Sequence, residues 1–262
     1  MVEIYQRDAT IPAIMGSTTR TIEVSAVNRL RGLLGKYFYF FMSLLVAAVV
    51  VYGFSHTIDQ NLIHAVPVRP WILYLHGIVF SGWVAFFIVQ SALVRVHKVS
   101  VHRTLGWFGV ALGVLIPVLG ISTAITMDRF NILHFHENSA APFFAIQLND
   151  MVVFAICFGL AVLWRSRPEF HRRLLLVATC ALTSAAFARF PGMGLPMLGW
   201  TCVCVDLLIF LGVVRDLIVN RRIHQVYLYA LPALIVAQSI AMYLFRAAPP
   251  QWLRITHAIL GV

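Results

Sequence analysis

Seven long apolar runs divide this chain, and a pattern of this kind leaves few folds other than a bundle of membrane-spanning helices. A helix needs about 20 apolar residues to cross the hydrocarbon core of a bilayer. Apolar residues make up 60% of the chain and charged residues only 11%, far from the soluble range. The sequence therefore predicts an all-α integral membrane protein with about seven transmembrane helices. The predicted spans are residues 37–54, 70–94, 105–126, 142–164, 174–190, 195–214 and 226–245.

The cations of the chain lie almost entirely between these runs and are unequally shared between the two sides. Of the 20 Lys and Arg residues, three quarters fall in the N-terminal segment and in the second, fourth and sixth loops. These are Arg7, Arg20, Arg29, Arg31, Lys36, Arg95, Lys98, Arg103, Arg165, Arg167, Arg172, Arg173, Arg215, Arg221 and Arg222; the other side has Arg69, Arg129, Arg189, Arg246 and Arg254. The positive-inside rule predicts a cytoplasmic N-terminus and an outer C-terminus.

This charge pattern also indicates partners and location. The formal net charge of +10 comes from short loops beside apolar spans, so it indicates anionic lipids at the cytoplasmic face and no nucleic acid. We expect a multi-pass protein of the cell inner membrane. Residues 1–36 are predicted to form a cytoplasmic tail, with a short interfacial helix over 20–36. Residues 37–246 form the membrane domain, with a core at 70–192, and residues 247–262 form a short outer tail.

Polar side chains inside the apolar runs are candidate functional residues, because hydrocarbon makes them costly. They are His76 in the second span, Asn149 and Asp150 in the fourth, and Asp206 in the sixth. Arg189, at the outer end of the fifth span, is a candidate partner for Asp206 or Asp150. The alternative is a purely structural role, either as a buried ion pair or as a carboxyl that stays protonated.

The segment from His134 to Glu137 is a candidate metal site in an outer loop. His134, His136 and Glu137 offer three ligands within four residues, and imidazole with carboxylate suits zinc or iron.

Two similar segments open spans on the cytoplasmic side. Residues 101–106 read Val-His-Arg-Thr-Leu-Gly, and residues 170–174 read Phe-His-Arg-Arg-Leu. Both follow a short basic loop, so the two helical hairpins could be duplicated. Either His102 and His171 anchor their helices at the lipid phosphates, or they form a facing pair on neighbouring helices.

These segments carry two resemblances. Leu75-His76-Gly77, the HRxxG-type motif that begins at His102, and the run from Pro168 to Arg173 resemble an uncharacterised bacterial family of multi-pass membrane proteins. More distantly, the chain is similar to transmembrane b-type cytochromes that hold two haems. That likeness implies an inner haem held by His102 and His171. It implies an outer haem held by His76 with His134 or His136, since the fourth span contains no histidine.

The sequence therefore favours a haem- or metal-binding membrane protein of redox or electron-transfer type, with a redox partner or a second copy as its partner. One alternative is a proton-coupled carrier that uses Asp150 and Asp206, although no inverted repeat or broken helix is predicted. A second is a membrane-embedded metal hydrolase resembling the ceramidase group, with His76, Ser81, Asp150 and His134 as its site. Whether the protein is an enzyme, and which substrate it would use, is left open.

Overall fold

The computed structural model describes the main chain of residues 11–262 and the side chains of residues 28–262. The predicted all-α fold is confirmed, since residues 11–262 contain helices and turns and no strand. The predicted tail falls partly outside the described residues. From Ile11 onward it is continuous with the first helix, and side chains before residue 28 lie outside the described part.

Nine α-helices follow one another in the described chain. They are α1 (Ile11–Ser55), α2 (Trp71–Arg95), α3 (Val99–Phe135), α4 (Ala140–Leu163), α5 (Pro168–Ala181), α6 (Ser184–Phe187), α7 (Leu198–Asn220), α8 (Gln225–Ala247) and α9 (Pro250–Leu260). A π-helical turn at Asp59–Ile63 and a 3₁₀ turn at Leu195–Met197 lie in the connections.

Five of these helices are long and apolar enough to cross a membrane. They are the Asn28–Ser55 part of α1 together with α2, α3, α4 and α8. The predicted fifth span has a different form, because α5 stops at Ala181 and the short α6 starts at Ser184. No glycine or proline marks this break in the sequence, so the broken helix was not predicted.

Helices α1, α3, α5 and α7 extend beyond the predicted spans, and in α3 and α7 this changes the position of residues discussed above. Helix α3 continues to Phe135, so His134 belongs to a helix and not to an outer loop, and His136 ends that helix in a left-handed conformation. Helix α7 continues to Asn220, so Arg215 lies inside the helix. Hydropathy detects the apolar centre of a helix and misses polar turns that extend past the hydrocarbon.

Each helix from α1 to α4 packs on the next, as do α6 on α7 and α7 on α8, and α4 is the central helix, in contact with α3, α5, α8 and α9. We call the end of the bundle with the loops at 96–98, 164–167 and 221–224 the basic end, and the other the opposite end. Trp83 of α2 packs edge-on against Phe154 and Phe158 of α4, with ring centroids 5.2 and 5.6 Å apart. The core therefore lies between α2, α4 and their neighbours.

The outer surface of the bundle is apolar, as expected of helices that face lipid. On α3, Ile116 is fully buried, whereas Val114 and Val118 are more than half exposed. Exposing such an apolar surface to water is unfavourable, whereas contact with the hydrocarbon tails of lipids carries no such cost.

Small residues allow the helices to approach closely. A Cβ at Gly113 would collide with the ring of Phe158, and one at Gly53 would collide with the carbonyl oxygen of Ala186. Gly113 of α3 thus makes room for a side chain of α4, and Gly53 brings α1 against the short helix α6.

The segment predicted as a short outer tail contains helix α9. This helix lies at the opposite end against α3 and α4. Its Trp252 indole N–H donates to the Pro142 carbonyl at 3.4 Å, and the Trp252 ring stacks on Phe144. Helix α9 therefore covers the start of α4.

Candidate functional site

His102 and His171 lie next to each other at the basic end. Each is the fourth residue of its helix, α3 or α5, because each helix begins directly after a short loop. Their ring centroids are 6.5 Å apart and the ring planes meet at 81°. Both helices pack on α4 more extensively than on each other. The two imidazoles thus face each other beside α4.

The surroundings of the two rings leave a nitrogen of each available. The Nδ1 atom of His171 lies 2.8 Å from the carbonyl oxygen of Ala161, which can only accept, so Nδ1 carries the proton and Nε2 keeps its lone pair. The Nδ1 atom of His102 is buried without a hydrogen-bond partner, and the ring lies beside the main chain of Gln90. A ring held by a carbonyl on one nitrogen is the usual arrangement of a metal-bound histidine.

A buried ion-pair network lies next to this pair. The Arg173 guanidinium, which is fully buried, donates from Nε and Nη2 to the two oxygens of Asp216 at 2.8 and 2.6 Å. Its third nitrogen donates to the Glu169 carboxylate and carbonyl. Arg215 also donates to Asp216, at 2.9 Å. This network joins α5 to α7 by charge-assisted bonds.

Tyr39 and Glu169 lie beside the arginines of this network. The guanidinium carbons of Arg172 and Arg215 lie 5.1 and 5.7 Å from the ring centre of Tyr39 in α1. Glu169 lies in the first turn of α5, where partial burial favours a higher pKa of its carboxyl group. The hydrogen bond from Arg173 and the charge of Arg172 have the larger, opposite effect, so the pKa of Glu169 is lowered. Glu169 is therefore ionised at neutral pH and supports both arginines.

His76 lies near the other end of the bundle. Its ring stacks on Phe80, with centroids 3.8 Å apart, and its Nδ1 atom is buried without a partner. The ring of His134 stacks on Phe130 instead, at 4.2 Å. The ring contacts of these two histidines are therefore with phenylalanines of their own helices.

The candidate metal ligands at the end of α3 do not converge. The Nδ1 atom of His134 is bonded to the Phe130 carbonyl, and Glu137 accepts from Ser139. His136 has the left-handed conformation of a helix end. Within residues 28–262, no three His, Cys, Asp or Glu side chains are placed to hold a metal ion.

The polar residues of α4 line a small pocket between α4, the α5–α6 break, α7 and α8. Ser184 donates a short hydrogen bond to one oxygen of Asp150, and Asn149 donates to the other at 3.4 Å. Next to the pocket, Gln238 donates to Asp206 at 3.3 Å. Both carboxylates thus have neutral hydrogen-bond partners.

The predicted ion pair between Arg189 and Asp150 or Asp206 does not form. Arg189 donates to the Ala185 carbonyl, and its guanidinium lies 4.4 Å from the ring centre of Phe54. The reason is the break after Ala181, since Arg189 lies beyond it, on the side facing α1.

Sequence reasoning missed several of these groups. Arg173 was counted as a loop cation and Asp216 was not singled out, although an acid at the basic end of an apolar helix is a signal for a buried partner. Asp128, which is buried and accepts from Gln147 at 3.1 Å, was also missed, because it lies two residues past the end of the predicted third span.

No protein-family model, curated protein or solved structure matches this chain. Its function is therefore inferred from the geometry of these sites.

We predict that Arg173→Ala destabilises the protein strongly. The substitution removes two of the hydrogen bonds to the buried Asp216 and leaves those from Arg215 and Asn220. Removing one partner of a buried pair costs about 3 kcal/mol or more. The matched control is Arg167→Ala, which removes an exposed cation at the start of the same helix. The measurement is thermal unfolding in detergent. Equal melting temperatures for the two variants would contradict the structural role of this pair.

Proposed function

We propose that this protein is a membrane redox protein that holds a b-type haem between His102 and His171. The observation that carries the proposal is the 6.5 Å separation of their ring centroids. Rings at this separation are close enough for one nitrogen of each to bind the same metal ion at metal–nitrogen distances of about 2 Å. His102 and His171 would be the residues that hold the haem.

The size of the ligand set favours haem over a bare metal ion. A zinc site takes three or four protein ligands, and no group of three candidate ligands exists within residues 28–262. A haem brings four nitrogens of its own and needs only axial ligands from the protein. Two histidines with free ring nitrogens fit that need.

The chain also provides the support that such ligands require. The Ala161 carbonyl holds the His171 ring in one orientation through Nδ1. Arg103 and Arg172, each next to one of the histidines, offer positive charge near the carboxylates that a haem carries. When bound, the haem would supply one-electron transfer. The protein residues would orient it and set its electrostatic surroundings.

The proposal includes a seven-span topology in the inner membrane, with a cytoplasmic N-terminus. Besides the five long apolar helices, α7 has 23 residues and would reach about 35 Å. Helix α5 has only 14 residues and would reach about 20 Å, so it needs the following turn and α6 to cross. The excess of Lys and Arg at the basic end supports the cytoplasmic location of that end.

We predict that exposed cysteines at the two ends of α4 react differently in intact cells. Asn138→Cys should react with a membrane-impermeant maleimide in intact spheroplasts. Ser166→Cys should react only after permeabilisation. Both positions are exposed and flank the same helix, so each is the control for the other. Labelling is measured against the unaltered protein, and the reverse pattern would contradict the orientation.

We predict that His102→Ala and His171→Ala each lower the haem content of the purified protein at least tenfold, because each variant removes one of the two residues that would hold the haem iron. The readouts are haem per polypeptide and the Soret absorbance. His97→Ala is the control, since it removes an exposed histidine from the adjoining loop. In the matching Gly variants, added imidazole should restore the spectrum.

The behaviour of these histidine variants can also contradict the proposed haem site. A variant that elutes as a folded, monodisperse protein and keeps its full Soret band would exclude that histidine as a ligand. If both variants behave so, the proposed function fails.

A further inference from the structure

The pocket beside Asp150 is a second site, about half a helix length from the histidine pair. It has room for about one water-sized particle, which excludes an organic substrate. Residues of four segments line it, among them Asp150 of α4, Ser184 of α6, Thr201 of α7 and Gln238 of α8. The occupant is therefore a water molecule or a single ion.

Most of the pocket lining is apolar, but five of its eleven residues carry side-chain oxygens, and four of these oxygens can still accept a hydrogen bond in addition to the Asp150 carboxylate. Ser184 uses its proton on Asp150, and Thr201 uses its proton on the Leu198 carbonyl at 2.7 Å, so both hydroxyl oxygens keep their lone pairs. Asn149 and Gln238 each donate from the amide nitrogen, to Asp150 and Asp206 respectively, which leaves their amide oxygens as acceptors. Carboxylate, hydroxyl and amide oxygens are the ligands of hard cations.

The break between α5 and α6 contributes to the same pocket. Ala181 is the last residue of α5 and Ser184 is the first residue of α6, and both line the pocket. Across the break the main chain makes shorter bonds, from Thr183 N to the Cys180 oxygen and from Ala186 N to the Thr183 oxygen. These two carbonyl oxygens therefore already accept main-chain hydrogen bonds, and Leu182 and Thr183 keep right-handed helical main-chain angles. The contribution of the break to the pocket is the position of the Ser184 side chain beside Asp150.

When Asp150 is ionised, the charge of the pocket favours a positive occupant. Asp150 is the one carboxylate among the lining residues. Within residues 28–262 it has no ion-pair partner, since Arg189 is directed to Phe54. An ionised carboxylate among apolar helices is costly until a cation compensates it. One monovalent cation balances this charge, and a divalent ion would leave an excess.

We propose that this pocket binds one sodium ion, with the Asp150 carboxylate as its charged ligand and the oxygens of Asn149, Ser184, Thr201 and Gln238 around it. The site goes beyond the proposed redox function, because it shares no residue with the histidine pair. It joins α4, the α5–α6 break, α7 and α8, so binding should stabilise their packing.

The test uses the purified full-length protein and NaCl as the probe. Equilibrium dialysis with radioactive sodium should give one saturable site per chain. Thermal unfolding should rise in temperature with NaCl and not with choline chloride at the same ionic strength. Both measurements are independent of haem content, so failure of the proposed redox function would not affect them.

Two variants test the assignment of ligands. Asp150→Asn should abolish saturable sodium binding, and Ser184→Ala should weaken it about tenfold, the effect of losing one ligand oxygen worth about 1.4 kcal/mol. Asp128→Asn is the matched control, since Asp128 is also buried in a helix, accepts from an amide and lies outside the pocket. Ser184→Ala keeps the test decisive if Asp150→Asn does not fold.

Three results would overturn the proposal. The first is sodium binding that is unchanged in both pocket variants, and the second is sodium binding that is weakened equally in Asp128→Asn. The third is a melting temperature of the protein that changes with pH but not with sodium concentration. The last would mean that a proton alone neutralises Asp150.

Discussion

The bond between Arg173 and Asp216 is the interaction on which the arrangement of this bundle depends. A guanidinium without exposed surface is tolerated inside apolar helices only when a carboxylate receives it with matching geometry. Asp216 does so through two parallel hydrogen bonds, and it is itself fully buried. The pair fixes the beginning of α5 against the end of α7. If either residue moved, the other would lose the partner that makes two hydrogen bonds to it and would keep only Arg215 or Glu169 as an oppositely charged neighbour.

This constraint also determines where His171 points. Two residues along a helix are separated by about 200° of rotation. Because Arg173 is directed to α7, His171 is directed to the other side of α5, where α4 and His102 lie. The structural ion pair and the proposed haem ligands therefore belong to one arrangement of the α5 N-terminus.

The break after Ala181 has a comparable effect at the other end of α5, where it brings Ser184 to Asp150 and leaves Arg189 facing α1. A cation bound there would give the carrier alternative a physical basis.

The sequence was sufficient to predict the helical fold and two helical hairpins, which correspond to the packing of α2 on α3 and of α4 on α5. Apolar runs separated by short basic loops determine both, and the facing of His102 and His171 was one of two interpretations of their repeated segments. The break in α5 could not be predicted, because no glycine or proline marks it and tertiary contacts decide it. The burial of Arg173 was missed for a similar reason. A cation beside a loop has the same sequence signature whether it meets lipid phosphate or a carboxylate on a distant helix.

The most direct test of the central claim is a reduced-minus-oxidised visible spectrum of the unaltered protein, purified in detergent from cells grown with ample haem. The account predicts sharp α and Soret difference bands and about one haem per chain, as expected of a low-spin iron with two histidine ligands. A featureless spectrum from folded, monodisperse protein would contradict it.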